Sequence, residues 1–168
     1  MFDQMWFSLS APEEEKQLLG LVNDARVHPE KYPPQGDATG AVMDACRYRF
    51  QTSRALVLDA RAHCEFLKDQ PVDWVNADLN MHRGPDGKPT WDPGEPMDQD
   101  GYKSWRAENV AVGFATPEEV VRFWMQDDQT WAWKHRNAIL RSLTVEAGVG
   151  HYQGGPGNHY WTLDMATQ

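Results

Sequence analysis

The sequence predicts a single domain of the α+β class, and three observations lead there. Apolar residues recur at helical spacing after Ser10 and again after Thr116. The segment from Thr144 to Ala166 reads as two strands joined by a Gly154-Gly-Pro-Gly157 turn. At 168 residues the chain can bury one sizeable core and is too short for two ordinary domains. Hydrophobic residues make up 40% and charged residues 24%, close to globular averages, which excludes wholesale disorder and a fibrous repeat.

From the N-terminus, residues 1–12 read as an extension and residues 13–168 as the domain. Ser10-Ala-Pro-Glu13 has the makings of a capping box: a hydroxyl for an orphan N–H, an early Pro and a Glu three residues on. The first helix should follow, with Leu18, Leu21, Val22 and Ala25 on one face until Pro29 and the Pro33-Pro34 pair stop it. After a loop rich in Gly and Asp, Leu56 to Leu67 reads as the second helix. Ala60, His63, Cys64 and Leu67 share its apolar stripe, so His63 is expected to be a packed helix residue.

The stretch from Arg83 to Arg106 is irregular, with Gly84, Pro85, Gly87, Pro89 and Pro93 placing its backbone in turns. A loop longer than about 15 residues without secondary structure of its own is usually functional or mobile. Glu108 to Gly113 alternates as a short strand. Thr116-Pro-Glu-Glu119 then supplies a Thr N-cap, Pro at N1 and Glu at N3 for a third helix through Val120, Val121, Phe123, Trp124 and Met125. A further short helix is expected around Trp131 to Leu140. In the terminal hairpin Gly148 and Gly150 fall at alternate positions, which leaves room on one face for a large side chain such as Trp161 opposite. Trp161 itself reads as core.

Charge narrows the function classes. The formal net charge of −9 would repel phosphate backbones and anionic lipid surfaces, so neither nucleic acid nor a membrane surface is an expected partner. No apolar run approaches the roughly 20 residues of a membrane span, which predicts a soluble chain. Asp3 stands where a secretory signal would be basic, and the apolar cluster around it is too short for a signal core. An exported form would therefore have lost its signal already. Cys46 and Cys64 sit in no Cys-x-x-Cys pair, which excludes a cysteine zinc finger and a redox dithiol. One disulfide and two buried thiols both remain open.

Few motifs speak for chemistry. Ser10, Ser53, Ser104 and Ser142 lie in no nucleophile elbow, and the His-Glu-x-x-His signature of zinc proteases is absent. His82 opens the Gly/Pro loop, Glu108 lies in Arg106-Ala-Glu-Asn-Val110, and His135 lies in Trp133-Lys-His-Arg-Asn137; spacing alone does not bring them together. His151 and His159 flank the hairpin turn, and a one-residue change in register decides whether they share a face and could pair on a metal.

Five segments stand in an order that resembles bacterial members of the CAP superfamily, which groups cysteine-rich secretory proteins, antigen 5 and plant pathogenesis-related 1 proteins. They are Leu18-Leu-Gly-Leu-Val-Asn-Asp-Ala-Arg26; Met81-His-Arg-Gly-Pro-Asp-Gly87; Gly101-Tyr102 with Ala107-Glu-Asn-Val-Ala-Val-Gly113; His135-Arg-Asn-Ala-Ile-Leu140; and Glu146-Ala-Gly-Val-Gly150 with Tyr160-Trp161 behind it. The resemblance spans roughly residues 13 to 166 and implies that residues 13–168 are a CAP-like, or SCP-like, domain. It implies a three-layer α-β-α sandwich with a central antiparallel sheet, and a cleft lined by two histidines and acids. Carried over by motif, these are His82, Glu108 and His135, with a second acid just after a tryptophan. Here that stretch is Trp124-Met-Gln-Asp127, so Asp127 or its neighbour Asp128 would serve. The Trp124 to His135 interval is longer than usual, with Asp127 to Trp133 as an insertion.

Two imidazoles and one or two carboxylates suit a divalent metal, Zn²⁺ foremost, with water positions left open. The same residues without metal would form a hydrogen-bonded network holding the cleft walls together. Two functions follow. One is a secreted or cell-envelope binding protein that takes a small apolar ligand or a cell-surface or cell-wall component. The other is a metal-dependent hydrolase of a peptide, ester or glycan, in which His82 and His135 hold the metal and Glu108 is the general base.

Overall fold

The structure, a computed structural model, describes residues 2–38, 46, 48–77 and 79–167. Helix α1 (Phe2–Ser10) leads into α2 (Glu13–Val27), and a 3-10 turn at Pro29–Lys31 ends the first helical layer. The expected capping box at Ser10 does not form. Ser10 ends α1, and its hydroxyl donates back to the Trp6 carbonyl at 2.7 Å. Pro12 is the N-cap of α2 without a side-chain cap, and Glu13, Glu14 and Glu15 in the first turn complement the helix dipole instead. The Gly/Asp-rich loop expected after α2 lies partly outside the described residues.

Strand β1 (Gln51–Thr52) precedes α3 (Arg54–Leu67), which Ser53 caps by accepting the Leu56 N–H. Two short helices, α4 (Val72–Val75) and α5 (Pro96–Gln99), and a 3-10 turn at Asn80–His82 lie between α3 and strand β2 (Arg106–Val112). The stretch read as irregular thus holds α5 and an Arg83–Pro89 bridge. Helix α6 (Pro117–Met125) starts with the expected capping box: the Glu119 N–H donates to Thr116 Oγ1, and the Glu119 carboxylate accepts the Thr116 N–H. Helix α7 (Lys134–Leu140) begins three residues later than expected, because Ala132 and Trp133 take left-handed backbone, φ 53° and 61°. Strands β3 (Glu146–Gln153) and β4 (His159–Ala166) form the terminal hairpin.

The sheet order is β1-β3-β4-β2. Its three long strands are antiparallel, but β1 pairs parallel to β3. The sheet is therefore mixed, not wholly antiparallel as expected, because the short β1 enters at the edge in the direction set by the following α3. Alternation along β4 splits the two faces. Trp161, Leu163 and Met165 pack with Leu18, Val22, Val121 and Trp124 of α2 and α6, while Tyr160 packs with Cys64 and Leu67 of α3. Helices α2, α6 and α7 on one side and α3 on the other make the three-layer α-β-α sandwich.

The room left by Gly148 and Gly150 is taken by α3, not by Trp161. A Cβ on either glycine would overlap backbone of Leu56, Val57 or Ala60. In the register observed, Trp161 pairs with His151, one step out of phase with both glycines. Trp161 is fully buried, as expected of core, and its indole N–H donates to the Phe114 carbonyl at 2.8 Å. Cys46 and Cys64 are both buried free thiols, and Cys64 Sγ donates to Thr162 Oγ1.

Candidate functional site

Strand β2 is the outer strand of the sheet, so a cleft can run along it with one wall from each helical layer. A cavity of about 470 Å³ does so, with Trp105 and the β2 residues Arg106 to Asn109 at its floor. The wall on the α3 side brings His82 and Trp91 from the Gly/Pro loop, and the wall on the α6–α7 side brings Trp131, His135 and Ala138. The loop of Arg83 to Arg106 is thus a wall of the cleft, and the Thr90 N–H donates to the His82 carbonyl at 3.0 Å to close it on itself.

His82 Nδ1 donates to Glu108 Oε1 at 2.9 Å, and His135 Nδ1 donates to Asp128 Oδ1 at 2.6 Å. Each imidazole is oriented by a buried carboxylate, which leaves Nε2 as the ring nitrogen open to a ligand. Asp128, rather than Asp127, takes the second acid's place. The left-handed pair Ala132–Trp133 turns the chain back over Asp128, whose carbonyl accepts the Trp131 and Trp133 N–H groups, each at 3.1 Å. Asp128 Oδ2 also accepts the Arg136 N–H, giving α7 a cap from outside the helix. Asp127 is exposed. Asn109 Nδ2 donates to the His135 carbonyl at 3.1 Å and ties α7 to β2.

Behind His82 lies a group that sequence reasoning missed. His63, expected only to pack, donates from Nε2 to the Met81 carbonyl at 2.8 Å and lies 3.6 Å from Glu108 Oε1. Asp164 stands directly across from Glu108 in the β2–β4 pairing. Burial pushes the Glu108 carboxyl up, but the imidazoles of His63 and His82 outweigh it and hold Glu108 below its usual range. Burial, and then the charges of Glu108 and Asp59, push Asp164 well above the usual range. The two directions favour the charge on Glu108 and the proton on Asp164. Burial and the neighbouring Asp100 likewise raise Asp59 to about 7. The alternation of β4 marks Asp164 as an inward acid, and that was the available signal; its partner depends on register.

The fit of a metal follows from these bonds. Glu108 and Asp128 each commit an oxygen to an Nδ1, and both side chains are sealed from solvent, at 0% exposure. They fit as supports of the imidazoles and not as ligands facing the cleft. Among the described residues no group of three or more His, Cys, Asp or Glu is spaced to hold a metal ion. The expected set of His82, His135, Glu108 and Asp127 is thus reduced to two imidazole nitrogens.

The sequence matches the CAP, Cysteine-rich secretory protein family, over residues 19–165. The chain belongs to the CAP family. Solved CAP structures share its fold. A cysteine-rich secretory protein from Staphylococcus aureus matches with a TM-score of 0.52 and 17% identity over 95% of this chain. Venom allergen-like protein 4 of Schistosoma mansoni matches with a TM-score of 0.56 and 13% identity over 93% of this chain and 89% of its own. The CAP domain of enterococcal PrgA gives 0.54 and 13% over 95% of this chain. This chain spans 40% of the staphylococcal protein and 63% of the enterococcal chain. No curated protein matches it in sequence. Within the CAP fold of this chain, no helix among the described residues is long and apolar enough to cross a membrane.

Proposed function

We propose that this CAP domain is an extracytoplasmic binding module whose cleft takes a small ligand with an apolar body. The cleft itself carries the reading: about 470 Å³ lined by Leu79, Trp91, Trp105, Trp131 and Ala138, with His82 and His135 each held by a buried carboxylate. Glu108 as general base has the wrong surroundings. It is sealed behind His82 and held below its usual range, where a carboxylate is a poor base at neutral pH. Location follows the common habit of CAP proteins, and the codons upstream of Met1 in the native gene test it: an export signal there supports it, and a cytoplasmic start without one sinks it.

The binding test uses the neutral probe N-phenyl-1-naphthylamine, followed by fluorescence and displaced by long-chain lipids or sterols. Saturable binding is expected, and Trp131→Ala should weaken it by about tenfold, the share of one aromatic wall. Binding that is absent, or unchanged when Ala138→Trp fills the cleft, would remove the proposal. A parallel hydrolysis screen of peptides, esters and glycans, with Zn²⁺ supplied, should show no turnover. Turnover that falls about a hundredfold in Glu108→Gln would replace the binding reading with the hydrolase.

Zinc at the cleft remains a second reading, supported by one observation: both Nδ1 atoms are anchored to carboxylates, which leaves Nε2 of each ring as the nitrogen able to meet a ligand. Calorimetric zinc binding is expected to vanish in the double variant His82→Ala/His135→Ala with the far-UV spectrum unchanged. Equal zinc binding by the double variant would sink that reading.

A further inference from the structure

The floor of the cleft is an unpaired strand edge. The Thr167 N–H donates to the Trp105 carbonyl at 3.0 Å and the Gly113 N–H to the His159 carbonyl at 2.8 Å, so Ala107, Asn109 and Ala111 turn their main-chain groups to β4. Arg106 and Glu108 turn theirs the other way, into the cleft, and these N–H and C=O groups meet no partner among the described residues. Glu108 shows the arrangement directly. Its side chain is 0% exposed while the whole residue keeps 6%, so what it presents to the cleft is main chain. The open edge is short, because the Val110 carbonyl already accepts the Trp124 indole N–H at 3.2 Å.

An edge of this kind is completed by a further strand, and the cleft walls suit one. Successive side chains of an extended segment point to opposite faces of a sheet, and each wall offers a tryptophan, Trp91 on the α3 side and Trp131 on the α7 side. One end of the cleft is also charged. The Arg141 guanidinium lies 4.8 Å from the centroid of the Trp105 ring, and its Nε is buried without a hydrogen-bond partner. We infer that the cleft takes the carboxyl end of an extended apolar peptide, which pairs antiparallel to Arg106 and Glu108 and sets its free carboxylate against Arg141. The direction follows from the charge, since only an antiparallel peptide brings its carboxyl end to the Trp105 end of β2. At about 3.4 Å per residue, the floor from Trp105 to Asn109 matches about four residues of peptide. With the last residue opposite Trp105, the second and fourth from the carboxyl end face Arg106 and Glu108 and exchange N–H···O bonds with them. The third turns its N–H away.

This inference rests on the cleft being the binding site for an apolar body and names the class of that body, so its test keeps the two apart. Acetyl-Leu-Val-Ala-Leu with a free carboxylate is titrated into the full chain by calorimetry, and separately against bound N-phenyl-1-naphthylamine. Saturable binding with displacement of the dye is expected. N-methylation of the second residue from the carboxyl end should weaken binding by about tenfold or more, and N-methylation of the third by less than about twofold, because only the former removes a donor to the edge. The carboxamide should bind wild type about tenfold more weakly than the free acid, and Arg141→Gln, folded by its melting curve, should bind the two alike. Equal losses from the two N-methyl peptides would mean apolar packing without strand pairing and would overturn the inference. Dye binding that a long-chain carboxylate displaces and the peptide does not would also overturn it, and would leave the cleft as a lipid site. Absence of binding by dye and peptide alike would remove both readings.

Discussion

Glu108 shows how one carboxylate in the interior sets the ionisation of its neighbours. Two imidazoles favour its charge on one side, and burial first, then that charge, push Asp164 up on the other. Asp59, at the far side of this group, has a raised pKa of about 7 against an ordinary 3.8. A carboxyl whose folded pKa is raised costs nothing while the folded and unfolded forms are both protonated. Its cost grows as pH rises from about 4 to about 7 and is complete above that. Asp59→Asn, whose amide can donate to Asp100, should therefore melt higher than wild type at pH 8 and equal to it near pH 4. Allowing for the partial exposure of Asp59, the gain is about 1–2 kcal/mol, or roughly 2–6 °C. A larger gain at pH 4 than at pH 8 would contradict this ionisation pattern. Arg26 presents the opposite case, a buried cation held by carbonyls with the Cys46 side chain beside it. Its guanidinium donates to Tyr48, Ile139, Arg141 and Thr144 and lies over the Phe50 ring. Arg26→Met should cost about 3 kcal/mol in urea unfolding, because four carbonyls lose their donors and the end of α7 loses its tie to α2.

At the scale of elements, what the sequence disclosed is what neighbours within a few residues decide. The Thr116 cap, the Leu18–Ala25 face and the terminal hairpin all depend on such short spacings, and all stand in the structure. Thr116→Ala should lower stability by about 1 kcal/mol, the usual worth of an N-cap hydroxyl, and an unchanged melting temperature would deny the cap that worth. Asp128 was hidden from Asp127 for a different reason. The left-handed turn at Ala132–Trp133 brings Asp128 back to His135, and bulky L residues give no signal for that conformation. The contacts of Glu108 with His63 and Asp164 depend on long-range register, which spacing does not encode. The glycines of β3 were legible as a space but not as to its occupant. Gly150→Ala should cost about 3 kcal/mol, since the sheet and α3 would have to part around the new methyl. A loss as small as that of an exposed Gly→Ala change would mean that the layers can yield there.

Across the whole molecule, charge is unevenly placed. The chain carries a net −9, yet its cleft is lined by Arg106, Lys134 and Arg141, with the ionised Glu108 sealed beneath His82. The overall repulsion of anions inferred from composition therefore does not describe this groove. A long-chain carboxylate should displace the naphthylamine probe at lower concentration than the corresponding amide, and added salt should narrow the difference. An amide that competes equally well at low salt would show that the basic side chains do not meet the ligand. The order β1-β3-β4-β2 has a further consequence, for the time course of folding. β4 is the last of the described elements and, among the described residues, the only one that pairs with both β2 and β3. Until it emerges from the ribosome, β2 has no partner to pair with, and the emerging chain cannot close its sandwich. Closure of this domain therefore waits for β4, however early its helices form.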